Sequence, residues 1–231
     1  MRYIISDLHG CFAHYSAMLE KLCFSDGDTL YVLGDVCDRG PAPMEIFTDM
    51  IRRPNVKYIL GNHDHDACLF LRDMADAESG EECFNGDQLA SYMFWLDDGG
   101  RPTAEGFLAL GRGDREAVLA LIENAPLYET LDCGGRHYIL VHAGLDGFRP
   151  DRPLSDYSRD ELTDCRADYS KRYFDRNTFL VTGHTPATKI GGWNRPEIYR
   201  RNGHIAVDCG CWRTGVLGAY CIESGEATYV K

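Results

Sequence analysis

The sequence predicts a protein of the α/β class, on three observations. Short β-rich apolar runs recur without polar alternation, the pattern of strands buried on both faces. Helix-period segments separate the first three runs, giving the order β-α-β-α-β. Each run stops at a polar cluster rich in Gly, Asp, Asn or His, where the carboxyl ends of strands in such sheets meet ligands.

Taken in order, Tyr3-Ile4-Ile5 runs into Ser6-Asp7-Leu8-His9-Gly10. Residues 12–22 place Tyr15, Met18, Leu19 and Leu22 on one helical face. Leu30–Leu33 runs into Gly34-Asp35-Val36-Cys37-Asp38-Arg39-Gly40, and residues 43–51 place Met44, Phe47 and Ile51 on a second helical face. Val56–Leu60 runs into Gly61-Asn62-His63-Asp64. From about 65 to 126 the chain reads as a helical insertion covering one end of the sheet, with apolar faces from Phe70-Leu71, residues 92–96, Phe107-Leu108 and Val118-Leu119. Its acidic segment, Asp73 to Asp87, reads as a solvated face, with an acidic lip for basic substrates as the alternative. Tyr138–Val141 then runs into His142-Ala143-Gly144, and Phe179–Val181 into Thr182-Gly183-His184-Thr185-Pro186. Glu197–Arg201, His204–Val207, Val216–Ile222 and Ala227–Val230 are spaced as antiparallel hairpins, hence a second or mixed sheet. All five polar clusters are expected to converge on one rim.

The 231 residues are expected to form a single domain, 1–231. Hydrophobic residues at 44% and charged residues at 26% fit a globular chain rather than a disordered one. No apolar run reaches the roughly 18 residues of a membrane helix, and the N-terminus has no signal-peptide pattern, so a cytoplasmic location is expected. With 36 acids against 24 bases, a net charge of -12, duplex nucleic acid and acidic membrane surfaces are poor partners. A small anion stays compatible, because bound cations invert the local field. The 10 cysteines include no C-x-x-C pair and read as reduced, mostly core thiols, Cys37 among them.

At the rim, Asp7, His9, Asp35, Asn62, His63, His142 and His184 combine carboxylate, imidazole and carboxamide, a set suited to divalent transition metals. There are too many such groups for one open site. Two ions about 3.5–4 Å apart sharing a carboxylate would use them, activating a bridging water for in-line displacement at phosphorus. Arg39 adds a planar fork for phosphate oxygens. One His after one strand is more often structural than ligating. Five such clusters are not, since each buried Asp or His would need a partner or a shifted pKa.

These five motifs, in order, resemble the signature of the calcineurin-like metallophosphoesterases, and more narrowly the phosphoprotein phosphatase family in its small bacterial and phage branch. Val207-Asp208-Cys209-Gly210-Cys211 with Gly215 and Leu217 resembles the family's closing strands, and Trp95-Leu96-Asp97-Asp98-Gly99-Gly100 a further family segment. The resemblance implies a β-sandwich of mixed sheets flanked by helices. It implies Asp7 and His9 on a first metal, Asp35 bridging, and Asn62, His142 and His184 on a second. It makes His63 the general acid, Asp38 its partner, and Arg39 a phosphate clamp. A second clamp falls to Arg166 in Asp164-Cys165-Arg166, although the Trp usual two residues earlier is missing and Arg159, Arg172 and Arg176 lie nearby. The ions are expected to be manganese, with iron or zinc as alternatives. His14, His65, His137 and His204 carry no motif role, with His65 nearest the site.

The leading expectation is a phosphoserine/phosphothreonine protein phosphatase using a bridging hydroxide and no phosphoenzyme. The alternative is a diadenosine tetraphosphate hydrolase of the same fold, whose second motif often departs from the Asp38-Arg39-Gly40 found here. A catalytically silent metal-holding module is a further alternative, opposed by intact ligand positions. A nuclease is opposed by the acidic charge and the lack of a basic, aromatic-studded groove.

Overall fold

Strand β1 (Arg2–Ile5) is the centre of the first of two five-stranded sheets in the computed structural model, which describes residues 1–77 and 86–231. It pairs in parallel with β2 (Thr29–Leu33), which pairs in parallel with β3 (Val56–Ile59). Helices α1 (Phe12–Lys21) and α2 (Pro43–Arg52) make the two crossovers. After β3 come α3 (Asn62–Ala77), α4 (Gly86–Trp95), one π-helical turn (Leu96–Gly100), α5 (Arg101–Ala109) and α6 (Arg112–Glu123). The second sheet follows: β4 (Tyr128–Cys133) antiparallel to β5 (Arg136–Val141), then β6 (Thr178–Thr182) and, beyond a short helix α7 (Arg159–Thr163) in the loop before β6, the hairpin β7 (Tyr199–Arg201) and β8 (His204–Ala206). Its order is β4-β5-β6-β8-β7. A turn of helix, α8 (Cys211–Thr214), leads back to the first sheet, where β9 (Leu217–Cys221) lies antiparallel to β1 and β10 (Ala227–Val230) forms the edge.

The unalternated runs have a direct explanation. Along β1 and β2, Ile4, Tyr31 and Leu33 face the second sheet and meet Tyr138, Leu140 and Val181 there. Their neighbours Ile5, Leu30 and Val32 face outward into a helical layer with Tyr15, Met18, Phe47, Leu71, Phe107 and Ile122. Both faces of the first sheet are therefore dry, so polar residues have no place along its central strands. In β5 the same alternation sends Ile139 and Val141 into a third cluster with Leu145 and Leu162.

Three expectations change. The inserted helices do not cover one end of the sheet: they complete the layer over the outer face of β1–β3. The C-terminal strands divide, β7 and β8 closing the second sheet and β9 and β10 returning to the first. The shared rim is made by two sheets, with the clusters after β1, β2 and β3 meeting those after β5 and β6. Strand β4 has no counterpart in the sequence reading, because it is an edge strand of exposed and half-buried residues whose apolar signal is limited to Tyr128, Leu131 and Cys133. The acidic segment from Asp73 to Asp87 lies largely outside the described residues. Among the described residues no helix is long and apolar enough to cross a membrane.

Phe107 is fully buried in the helical layer, whereas Phe94 is 74% exposed. Phe107→Ala is expected to lower the unfolding free energy by about 3–5 kcal/mol in a urea titration. Phe94→Ala should change it by less than about 0.5 kcal/mol.

Candidate active site

The loops that follow the strands are locked together before any side chain is considered. The amides of Asp7, His9 and Gly10 donate to the carbonyls of Gly34, Asp35 and Val36 at 2.8–3.1 Å, carrying the β1–β2 pairing past the ends of both strands. The Gly183 amide donates to the His142 carbonyl at 2.7 Å and does the same for β5 and β6. To fit, the backbone turns left-handed at Asp7, His9, Asp35, Asp38, Arg39 and His184, with φ between 41° and 69°. These are six of the nine non-glycine residues with positive φ among the described residues, so backbone strain, at about 1–3 kcal/mol per position, is concentrated here. Gly61 and Gly183 permit the closest approaches: a Cβ on Gly61 would overlap the Asp35 amide and Oδ1, and one on Gly183 would overlap Asp7 Oδ2.

Asp35 lies at the centre and is 2% exposed. Its Oδ1 accepts from the His63 amide at 3.1 Å and lies 3.4 Å from His142 Nε2, and its Oδ2 lies 3.6 Å from His9 Nε2. Burial opposes its charge, but His142, His63, His9 and His184 together outweigh burial and hold the carboxyl below the usual range. Asp7 has the opposite fate: burial, reinforced by Asp35, lifts it to about 6 against the pull of His142. Its two oxygens accept from the His184 amide at 2.9 and 3.1 Å.

The tautomers identify the chemistry of the cluster. His142 Nδ1 donates to the Leu33 carbonyl at 2.6 Å, and His9 Nδ1 to the Cys37 carbonyl at 2.9 Å. In the neutral rings, each Nε2 therefore turns a lone pair toward Asp35. Asn62 Oδ1, at the start of α3, lies 3.1 Å from both His142 Nε2 and His184 Nδ1. Lone pairs of oxygen and nitrogen thus face one another across a small space, an arrangement that suits divalent cations. Ligand atoms of Asp35, His142 and His184 lie within 4.8 Å of one another, as do those of His9, Asp35 and His63.

His63 lies beside this cluster, its ring centroid 5.0 Å from that of His9. Its Nδ1 is 2.8 Å from Asp38 Oδ2. Burial pulls its pKa down, but the Asp38 hydrogen bond and the nearby Asp35 charge prevail and raise it to about 9. Arg39 spans the gap, with one guanidinium nitrogen 2.7 Å from His9 Nε2 and another 2.7 Å from His63 Nε2. Nε2 of His63 cannot both carry a proton and accept one from Arg39. The contact therefore belongs to the neutral ring.

The helical insertion supplies residues that the sequence reading did not assign. Asp38 is 1% exposed and accepts from Trp95 Nε1 at 3.1–3.2 Å and from Thr103 Oγ1 at 2.9 Å. The Arg39 amide donates to the Gly99 carbonyl at 2.8 Å. The Trp95–Gly100 segment was recognisable, but its contact with Asp38 was not, and Thr103 carries no local signal. Asp64 Oδ1 accepts from the amides of Val36 and Cys37 at 2.9 and 3.0 Å and so shapes the second motif. Asp208, whose pKa is pushed up by burial and by Asp7, lines the pocket as well.

The pocket over the cluster has a volume of about 390 Å³ and is lined by Arg166 as well as Arg39, and by Lys189, Trp212 and Arg213. Arg159, by contrast, hydrogen-bonds His65 beside a separate hollow, and Arg172 is tied to the Asp175 carbonyl at 2.8 Å. Of the remaining histidines, His14 bonds the Gly215 carbonyl, His137 pairs with Asp132 at 2.9 Å, and His204 is buried against the Lys171 carbonyl. Cys37 is fully buried and burial pushes its thiol well up, as befits a core residue.

The His63–Asp38 pair gives a sign to test. A histidine raised from 6.5 to about 9 adds stability that is full below pH 6.5 and is lost as pH rises through about 9. In metal-stripped protein, NMR titration of His63 should give a midpoint near 9. In Asp38→Asn the midpoint should fall, and the stability difference between the two proteins should shrink at alkaline pH.

The calcineurin-like phosphoesterase family profile matches residues 3–209. The chain is 28% identical over 245 residues to the bis(5'-nucleosyl)-tetraphosphatase PrpE [asymmetrical] of Geobacillus sp. (strain WCH70), covering 94% of this chain and 88% of that protein. It is 30% identical over 145 residues to a symmetrical bis(5'-nucleosyl)-tetraphosphatase of Paracidovorax citrulli (strain AAC00-1), covering 62% of this chain and 44% of that one. Among solved structures, one assigned as a diadenosine tetraphosphatase superposes with a TM-score of 0.67 at 18% identity, covering 99% and 92% of the two chains. A protein serine/threonine phosphatase of Saccharomyces cerevisiae superposes with a TM-score of 0.59 at 13% identity, covering 100% and 79%, so both share the fold. The profile match begins in β1 and ends just past Asp208, taking in every residue gathered around Asp35, and the chain belongs to the calcineurin-like phosphoesterase family.

Proposed function

We propose that this phosphoesterase hydrolyses dinucleoside tetraphosphates, breaking one phosphoanhydride bond asymmetrically. The observation that carries the reading is the similarity, along 94% of the chain, to relatives named asymmetrical bis(5'-nucleosyl)-tetraphosphatases. The protein phosphatase that the sequence favoured gives way to what was its alternative. The intact Asp38-Arg39-Gly40 that argued for it is compatible with both, since Arg39 grips phosphate oxygens whatever they are attached to.

The pocket is suited to a long anionic substrate. Arg39, Arg166, Lys189 and Arg213 bring four positive charges to its lining in a chain of net charge -12. Trp212 is 47% exposed at the same pocket, an aromatic face on which a nucleobase can stack. A polyphosphate seated at the Asp35 cluster would run along the cations with one nucleoside reaching Trp212.

The donor set fits two divalent ions, manganese being our choice: Asp7, His9 and Asp35 for one, Asp35, Asn62, His142 and His184 for the other. Bound there, such ions lower the pKa of a water and neutralise phosphate charge. The chain's own residues do the rest. Arg39 and Arg166 hold the phosphoryl oxygens. His63, protonated with the help of Asp38, gives its Nε2 proton to the departing phosphate oxygen. The helical insertion fixes Asp38, and through it the ring of His63.

Metal-stripped protein resupplied with Mn²⁺ should convert diadenosine tetraphosphate to ATP and AMP, and faster than it dephosphorylates a phosphoserine peptide. Two ADP, or a faster peptide reaction, would replace this reading. His63→Asn should lower kcat toward the lower end of about 10²–10⁴-fold, because a phosphate leaving group needs less protonation than an alkoxide, and should retain metal. Trp212→Ala should raise KM for the dinucleotide by roughly 5- to 150-fold, the equivalent of about 1–3 kcal/mol of stacking. It should leave KM for a small phosphate monoester unchanged.

A further inference from the structure

A second group of ligand-capable side chains lies behind the pocket wall and takes no part in the chemistry above. Cys11 precedes α1 and His14 stands three residues later on the same first turn. Cys211, the first residue of α8, meets them from the other end of the chain. One ligand atom from each of the three lies within 4.8 Å of the other two. Cys11 and Cys211 are both free thiols, Cys11 and His14 are half-buried, and Cys211 is 3% exposed. The group is therefore reachable from solvent on one side and packed on the other.

We propose that Cys11, His14 and Cys211 form a zinc-type site, distinct from the Asp35 cluster, with two thiolates, one imidazole and a fourth position for water. Thiolate with imidazole is the soft donor set that zinc takes in tetrahedral sites. Ligands at 2.0–2.3 Å from such an ion lie roughly 3.3–3.8 Å apart, so atoms already within 4.8 Å of one another have at most about 1.5 Å to close. His14 Nε2 lies 3.1 Å from the Gly215 carbonyl, and its Nδ1 has no protein partner among the described residues. A carbonyl on one ring nitrogen is the usual means of orienting a ligating imidazole.

The site would join two parts of the pocket. Cys11 lies two residues beyond His9, and Cys211 lies between Gly210 and Trp212, which line the pocket with Arg213. An ion there ties the first motif to the segment proposed to receive the nucleoside. Binding releases the thiol protons to solvent as the two sulfur–metal bonds form, with no change of oxidation state.

Cobalt distinguishes this site from the Asp35 cluster, which contains no sulfur. Metal-stripped, reduced protein titrated with Co²⁺ should develop a near-ultraviolet sulfur-to-cobalt charge-transfer band that saturates at one ion and is bleached by Zn²⁺. The band should survive Asp35→Asn and disappear in Cys11→Ser and in Cys211→Ser, with folding checked by circular dichroism. His14→Ala, which keeps both thiols, should weaken binding at this band by at least about tenfold. Absence of the band, its survival in both serine variants, or unchanged affinity in His14→Ala would overturn the assignment. None of these readouts depends on which phosphoester the protein hydrolyses.

Discussion

Asp35 is a carboxylate with almost no access to water, kept ionised by the imidazoles around it. Burial of a lone carboxylate favours its neutral form. Here His142, His63, His9 and His184, from four different loops and both sheets, reverse that preference. The same charge acts back on its neighbours, adding to the burial that lifts Asp7 to about 6 and opposing the burial that lowers His9 to about 4. Two neighbouring carboxylates thus end up on opposite sides of ordinary behaviour. The left-handed turns at Asp7, Asp35 and His184 are the conformational expense of holding this arrangement, and the loop-to-loop hydrogen bonds keep it in place.

The helical insertion takes on a meaning that its position in the sequence does not suggest. It completes, with α1 and α2, the outer layer over β1–β3, and through Trp95 and Thr103 it also grips the carboxylate paired with His63. Core packing and acid-base geometry are linked in one layer. A change that loosens α5 against α2 therefore reaches His63 by two hydrogen bonds, without touching any group in the pocket.

Much of this was legible in the sequence because the relevant signals are local. Apolar runs without alternation mark strands covered on both sides, and Asp7, His9, Asp35, Asn62, His63, His142 and His184 each follow such a run directly. What was not legible depends on contacts between distant segments. β4 is an edge strand whose neighbours are set by pairing with β5 rather than by its own composition. Trp95 and Thr103 meet Asp38 from α4 and α5, 57 and 65 residues further along the chain. The division of the C-terminal strands between two sheets follows from which edges remain open, a property of the assembled fold. The substrate class was weighed on a local motif for a related reason: Asp38-Arg39-Gly40 reports how phosphate is held, whereas Trp212 and Arg213, which also line the pocket, come from the segment before β9.

The place of β9 has a consequence for how the molecule comes into being. Tyr3 pairs with Cys221 and Ile4 with Tyr220, so the central strand of the first sheet finds one of its two neighbours almost a full chain length away. The Arg2–Glu223 ion pair, at 2.7 Å, closes the same seam. During synthesis the N-terminal β-α-β-α-β unit emerges early but keeps one flank of β1 unpaired until the last strands arrive. Such an edge is a template for pairing with other chains, and contacts this distant in sequence form slowly. The assembling fold thus stays open to mispairing along β1 until β9 and β10 dock, and these two strands act as the clasp that ends that interval.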